Sequence, residues 1–171
     1  MTTELTKVAQ ANLIGIPAPA AVLAVAQNAA RTLMTVVSQK KKPVIINGEQ
    51  YLEFEDWQTL GQFYRYTVRT HHATPVEIAG VKGAHAEADL VDITTGDVVG
   101  GAEAYCMRDE ERWGTRAKYE YQGDKRVKVG LESVPWFQLA SMAQTRAGSK
   151  ALRMPLGFIM QLAGFDATPA E

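Results

Sequence analysis

Between Ala140 and Arg153 the sequence places alanine at Ala140, Ala143, Ala147 and Ala151. Steps of three and four residues put all four on one stripe of an α-helix. Side chains this small let a helix axis sit close on a sheet. Arg146, Lys150 and Arg153 share a second narrow sector, at about 0°, 40° and −20° on a wheel of 100° per residue. A helix docked through its alanines would therefore carry three cations along its exposed flank. The spacing predicts this helix over about Val134 to Met154, with Ser133 as N-cap and Pro135 in the first turn. Pro155 is expected to kink or break it, leaving a short apolar helix from Leu156 to Gly164.

Upstream, Met1 to Ile16 is a mixed lead-in, and Pro17 and Pro19 oppose a helix there. Ala20 to about Gln39 favours a helix, closed by Lys40-Lys41-Lys42 and Pro43. Val44, Ile45 and Ile46 read as a short strand, Asn47-Gly48 as a hairpin turn, and Tyr51-Leu52 as the return. Trp57, Leu60, Phe63 and Tyr64 give one apolar face to a helix over Glu55 to Tyr66. Strands are expected at Thr67–Thr70, Val76–Val81, Ala84–Ile93 and Val98–Met107, the last two joined at Thr95-Gly96-Asp97. Asp109, Glu110 and Glu111 make a polar turn, and Tyr119 to Val129 alternates around Gly123-Asp124. The order predicts an α+β fold, an antiparallel β-meander packed against a long helix, with an N-terminal helix and a preceding hairpin. The expected organisation is an arm and helix at 1–39, a core at 40–165 and a tail at 166–171.

The length of 171 residues suits one domain with an arm. With a single cysteine, Cys106, an intramolecular disulfide and a Cys-rich zinc module are excluded. Cys106 reads as a small buried apolar residue. The net charge of −1 argues against a wholly basic nucleic-acid binder. Its distribution points elsewhere: residues 112–153 carry +6 and the remainder −7, as if one surface of an acidic body were made for a polyanion. The apolar stretch from Leu13 to Val37 is interrupted by Pro17, Pro19, Gln27, Asn28 and Arg31, so no membrane span is expected and the location expected is the cytoplasm.

Three groups of residues are candidates for binding single-stranded nucleic acid. On the long helix they are Arg146, Lys150 and Arg153, since a phosphate backbone needs charge repeated along a line. Lys40, Lys41 and Lys42 form either a solvated loop or part of the same track. In the segment from Arg112 to Lys128, Arg116 and Lys118 share a strand face, as do Arg126 and Lys128. Tyrosines interleave there with these cations and Lys125; unstacked bases need π-faces and their backbone needs charge. A β-ribbon with no ligand would carry the same pattern. Catalytic constellations are weak, with no P-loop and no Gly-x-Ser-x-Gly. The histidines have no zinc spacing with Cys106, and no cofactor is expected.

Taken in order, three blocks carry a family likeness: Tyr51-Leu52-Glu53 ahead of a helix, Val91-Asp92-Ile93-Thr94-Thr95-Gly96, and Ser141-Met142-Ala143-Gln144-Thr145-Arg146-Ala147-Gly148-Ser149-Lys150-Ala151-Leu152-Arg153 followed by Gly157-Phe158. The set resembles the single-strand annealing proteins, the Rad-type recombination mediators and their phage relatives, over roughly residues 40–165. That resemblance implies a β-β-β-α core, homo-oligomeric rings or open helices, and annealing of complementary DNA strands without ATP. It places single-stranded DNA on Lys150 and Arg153, with Arg146 a turn earlier, on Lys41 and on Tyr51. Lys40-Lys41-Lys42-Pro43 stands where the family has a Gly-rich entry to its hairpin. Further partners implied are a phage exonuclease or a host single-strand binding protein, in the bacterial host cytoplasm. Two other classes stay open on the residues alone. One is a metal-dependent nuclease using Glu53, Glu55, Asp56 and a histidine; the other is a structural oligomerisation protein that ignores nucleic acid.

Overall fold

A computed structural model describes residues 17–46 and 48–164. The lead-in before residue 17, Asn47 and the tail from residue 165 lie outside the described residues. The elements are α1 (Pro19–Ser38), β1 (Val44–Ile46), β2 (Glu49–Tyr51), α2 (Phe54–Phe63), β3 (Tyr66–Thr70), β4 (Thr74–Ile78), β5 (Val81–Asp92), β6 (Val98–Met107), β7 (Thr115–Gln122), β8 (Lys125–Ser133) and α3 (Trp136–Leu162). The fold class is the α+β one expected. The chain divides into two units, residues 1–43 with 157–171 and residues 44–156.

In the smaller unit, α1 begins on Pro19, not after it, because a proline at the first helical position has no N–H to lose. Ala26, Ala29, Ala30, Leu33 and Val37 are buried along one stripe. By length and apolar composition alone α1 is long enough to cross a membrane, since Pro17 lies before it and Pro19 at its first position. A core helix or a signal sequence has the same length and composition. Gln27, Ala30, Arg31 and Met34 line one hollow together with Leu162 and Ala163 at the end of α3.

The larger unit is built on β5. Its twelve residues pair with β3 (Tyr66↔Asp92 to Thr70↔Ala88) and β4 (Thr74↔His85 to Ile78↔Val81) along one side. The other side pairs with β6, His85 against Tyr105 and Glu87 against Glu103. All pairs are antiparallel. The expected strand at Val76–Val81 is split, since Ala79 and Gly80, both at positive φ, turn the chain between β4 and β5.

Alternation along β5 buries Ala84, Ala86, Ala88 and Leu90 on one face. Ala143, Ala147 and Ala151 of α3 are buried in the same cluster as Ala84, Ala86, Ala88 and Cys106. Alanine thus meets alanine, and the helix lies close on the sheet as the stripe predicts. Close approach recurs between the helices: a Cβ on Gly148 of α3 would meet the Phe54 ring at 2.8 Å, and one on Gly61 of α2 would meet Leu152 at 2.8 Å. Asp56, 3% exposed, accepts the Glu53 backbone N–H at 2.9 Å and closes the start of α2.

Two expectations about α3 are corrected. Ser133 does not cap it; it is the last residue of β8, paired with Thr115. Nor does Pro155 end it, for the helix runs on to Leu162. The ring forfeits one intrahelical bond, while Leu152, Leu156 and Ile159 are all buried around it.

Candidate nucleic-acid interface

Among the described residues β7 and β8 pair only with each other, from Thr115↔Ser133 to Gln122↔Lys125. Half-burial touches Ala117 of β7 and Val127 and Glu132 of β8, and every other residue of the two strands is exposed. They form an arm. Its base is fixed where the Val134 N–H donates to the Gly114 carbonyl at 3.1 Å and Trp113 packs against the core. The described turn is Gly123 at φ 63 and Asp124.

The register sorts the arm's charges into two unlike faces. Arg116, Lys118 and Glu120 point to one side, with Glu132 opposite Arg116. A bulge at Val129, between the pairs Lys118↔Gly130 and Tyr119↔Lys128, brings Glu132 to that side. There Arg116 Nε donates to Glu132 Oε1 at 2.7 Å and Lys118 Nζ to Glu120 Oε1 at 2.9 Å. The Glu120 hydrogen bond holds the Lys118 ammonium above its ordinary pKa. These two cations are therefore already matched to carboxylates.

The other face carries Tyr119, Tyr121, Arg126 and Lys128, flanked by Ala117 and Leu131, and no carboxylate. The Arg126 guanidinium lies 4.1 Å over the Tyr119 ring. Tyr121 is 76% exposed and Leu131 66%. Lys125 stands opposite Gln122, on the Arg116 side. So Arg116 and Lys118 do share a face, and Arg126 and Lys128 share the opposite one.

On α3 the three cations do different work. Arg146 is turned onto the polar turn after β6: it reaches Glu110 through both terminal nitrogens, at 2.8 and 2.5 Å, and donates to the Tyr105 carbonyl at 2.7 Å. Glu110 also accepts the Met107 N–H at 2.6 Å. Burial pushes the Glu110 carboxyl up, but the bonds from Arg146 and Met107 outweigh it and hold it below the usual range. The expectation that Arg146 belongs to an exposed cationic row is corrected: its guanidinium is used inside the fold. Lys150 is exposed and, among the described residues, reaches the Glu103 carbonyl at 3.3 Å. Arg153 is half-buried.

Tyr51 ends β2, half-buried and opposite Val44. Lys41 and Lys42 are exposed in the bend after α1, and Lys40 is half-buried with its N–H on the Val37 carbonyl at 3.2 Å. These three lysines belong to the smaller unit and the other candidates to the larger one. Cys106 is fully buried, and burial pushes its thiol up to about 11. Asp56, a candidate nuclease ligand, is engaged at the start of α2.

Comparison of the chain with protein-family models, with curated proteins and with solved structures returns no match.

Proposed function

We propose that this protein binds single-stranded DNA and anneals complementary strands without ATP, as a homo-oligomer. The observation that carries the reading is the carboxylate-free face of the β7–β8 arm, where two exposed tyrosines stand among two cations. Rings offer every base a stacking surface whatever its identity. Arg126 and Lys128 supply charge for the phosphates between them. None of these groups needs the Watson–Crick edge of a base, so a bound strand keeps that edge free for a complement. One arm offers two rings, enough for a few nucleotides, so holding a longer strand calls for several copies side by side. Lys150 supplies a further exposed cation in the same unit.

The test is fluorescence anisotropy with labelled oligo-dT across a salt series, followed by an annealing assay with complementary oligonucleotides. Tyr121→Ala should weaken binding by about 1–3 kcal/mol. Lys128→Ala should lower the slope of log K against log salt by about 0.7. Replacing Arg116 and Lys118 together should change both far less, since their charges are already neutralised. Wild-type protein with no affinity for oligo-dT at low salt would remove the proposal.

A further inference from the structure

The face of β5 turned away from α3 carries His85, Glu87 and Asp89. We propose that His85, Glu87 and Glu103 form a binding site for a first-row divalent metal ion on this open face. The inference does not rest on the DNA-binding reading.

Glu87 and Glu103 stand directly opposite each other across β5 and β6. The His71 N–H donates to the Glu87 carbonyl at 2.9 Å, so the Glu87 backbone faces β3 and β4, not β6. Against Glu103 it therefore forms a non-hydrogen-bonded pair, the type that brings side chains closest. Like charges so placed repel. Two residues along each strand, His85 lies opposite Tyr105, and their rings approach to 4.7 Å between centroids. That contact holds the imidazole with Nε2 2.9 Å from Glu103 Oε2.

Asp89, next on the same face, shows what a satisfied carboxylate looks like here. Arg69 reaches it at 2.9 Å and His71 at 3.0 Å, and the Arg69 hydrogen bond leads in holding its carboxyl below the usual range. Glu87 has neither a hydrogen bond nor an ion pair to its side chain among the described residues. The cluster thus holds two carboxylates against one imidazole, and the nearby Lys150 ammonium is on the Glu103 carbonyl, not on a carboxylate.

One donor atom from each of the three residues lies within 4.8 Å of the others. Bonds of about 2.0–2.2 Å bring donors on one ion to within about 4 Å of each other, and the exposed Glu side chains cover the difference by rotation. An imidazole nitrogen with two carboxylates suits Zn²⁺ or Mn²⁺ better than Ca²⁺, which takes six to eight oxygens. Three protein donors leave coordination positions for water or an incoming oxygen ligand.

The 171-residue chain, stripped with chelator, is titrated with Zn²⁺ and separately with Mn²⁺ by calorimetry, and its melting temperature is followed with and without metal. The expected result is one site per chain, weakened at least about tenfold by Glu87→Gln, Glu103→Gln or His85→Gln. His71→Ala with His72→Ala should leave metal affinity unchanged. Glu87→Gln is also expected to raise the metal-free melting temperature by about 1–3 °C, by removing the repulsion, while abolishing the rise that metal gives the wild type. A purely structural carboxylate would not produce those opposite signs. No uptake of either ion at millimolar concentration, or affinity that survives both His85→Gln and Glu87→Gln, would overturn the proposal.

Discussion

Arg146→Ala separates a scaffold role from a DNA-contacting one. The residue makes a two-pronged bond to Glu110 and a third to the Tyr105 carbonyl. Bonds to charged groups each contribute about 1.5–3 kcal/mol. Here all three share one guanidinium, and the two side chains are 27% and 31% exposed, so water screens part of the gain. Glu110 would keep the Met107 N–H. A net loss of about 2 kcal/mol follows, or about 4–8 °C in melting temperature for a chain of this size. Thermal and urea unfolding by circular dichroism read it directly. The pH dependence has a definite sign. Because the folded-state pKa of Glu110 is depressed, its contribution is complete above the ordinary Glu value of about 4.3. It is lost as pH falls through the lower folded value. The difference between wild type and variant should be full at neutral pH and shrink below about pH 4. An unchanged melting temperature combined with about a tenfold loss of oligo-dT affinity would refute the reasoning and return Arg146 to the exposed row.

Ala147→Leu should destabilise by at least about 1–3 kcal/mol, because Ala147 is fully buried in the alanine cluster that joins α3 to the sheet; denaturant unfolding measures it. Asp56→Ala removes the acceptor for the Glu53 N–H and should cost about 1 kcal/mol, read the same way. Cys106 should resist a thiol reagent at pH 7.5 in the native protein and react once unfolded, since burial keeps its thiol protonated; absorbance of the released chromophore reports it.

The alanine stripe was legible because helical periodicity is local, and its flat partner followed from side-chain size alone. The sorting of Arg116 and Lys118 against Arg126 and Lys128 was half legible. Alternation put each pair on a common face, but only the strand register shows that the faces are opposite. The bulge at Val129 is what sets Glu132 against Arg116, and nothing in an alternating pattern marks where an extra residue enters. Arg146 could not be read at all, because its partner Glu110 sits 36 residues away in a turn that looked merely polar. Helix position fixes a direction and says nothing of what tertiary packing brings to meet it. Pro155 shows the same limit, a local breaker overridden by apolar burial on both sides.

Among the described residues the β7–β8 arm pairs with no other strand, and nearly all of its residues are exposed. A two-stranded ribbon of this kind is held closed by its own ladder and by exposed cross-strand contacts, Arg116 with Glu132 and Arg126 over Tyr119. Its amides should trade hydrogen for deuterium well before those of β5, which is flanked by strands on both sides and covered by α3. Whatever settles on the tyrosine side will then announce itself as a slowing of that exchange, in a part of the molecule that otherwise breathes freely.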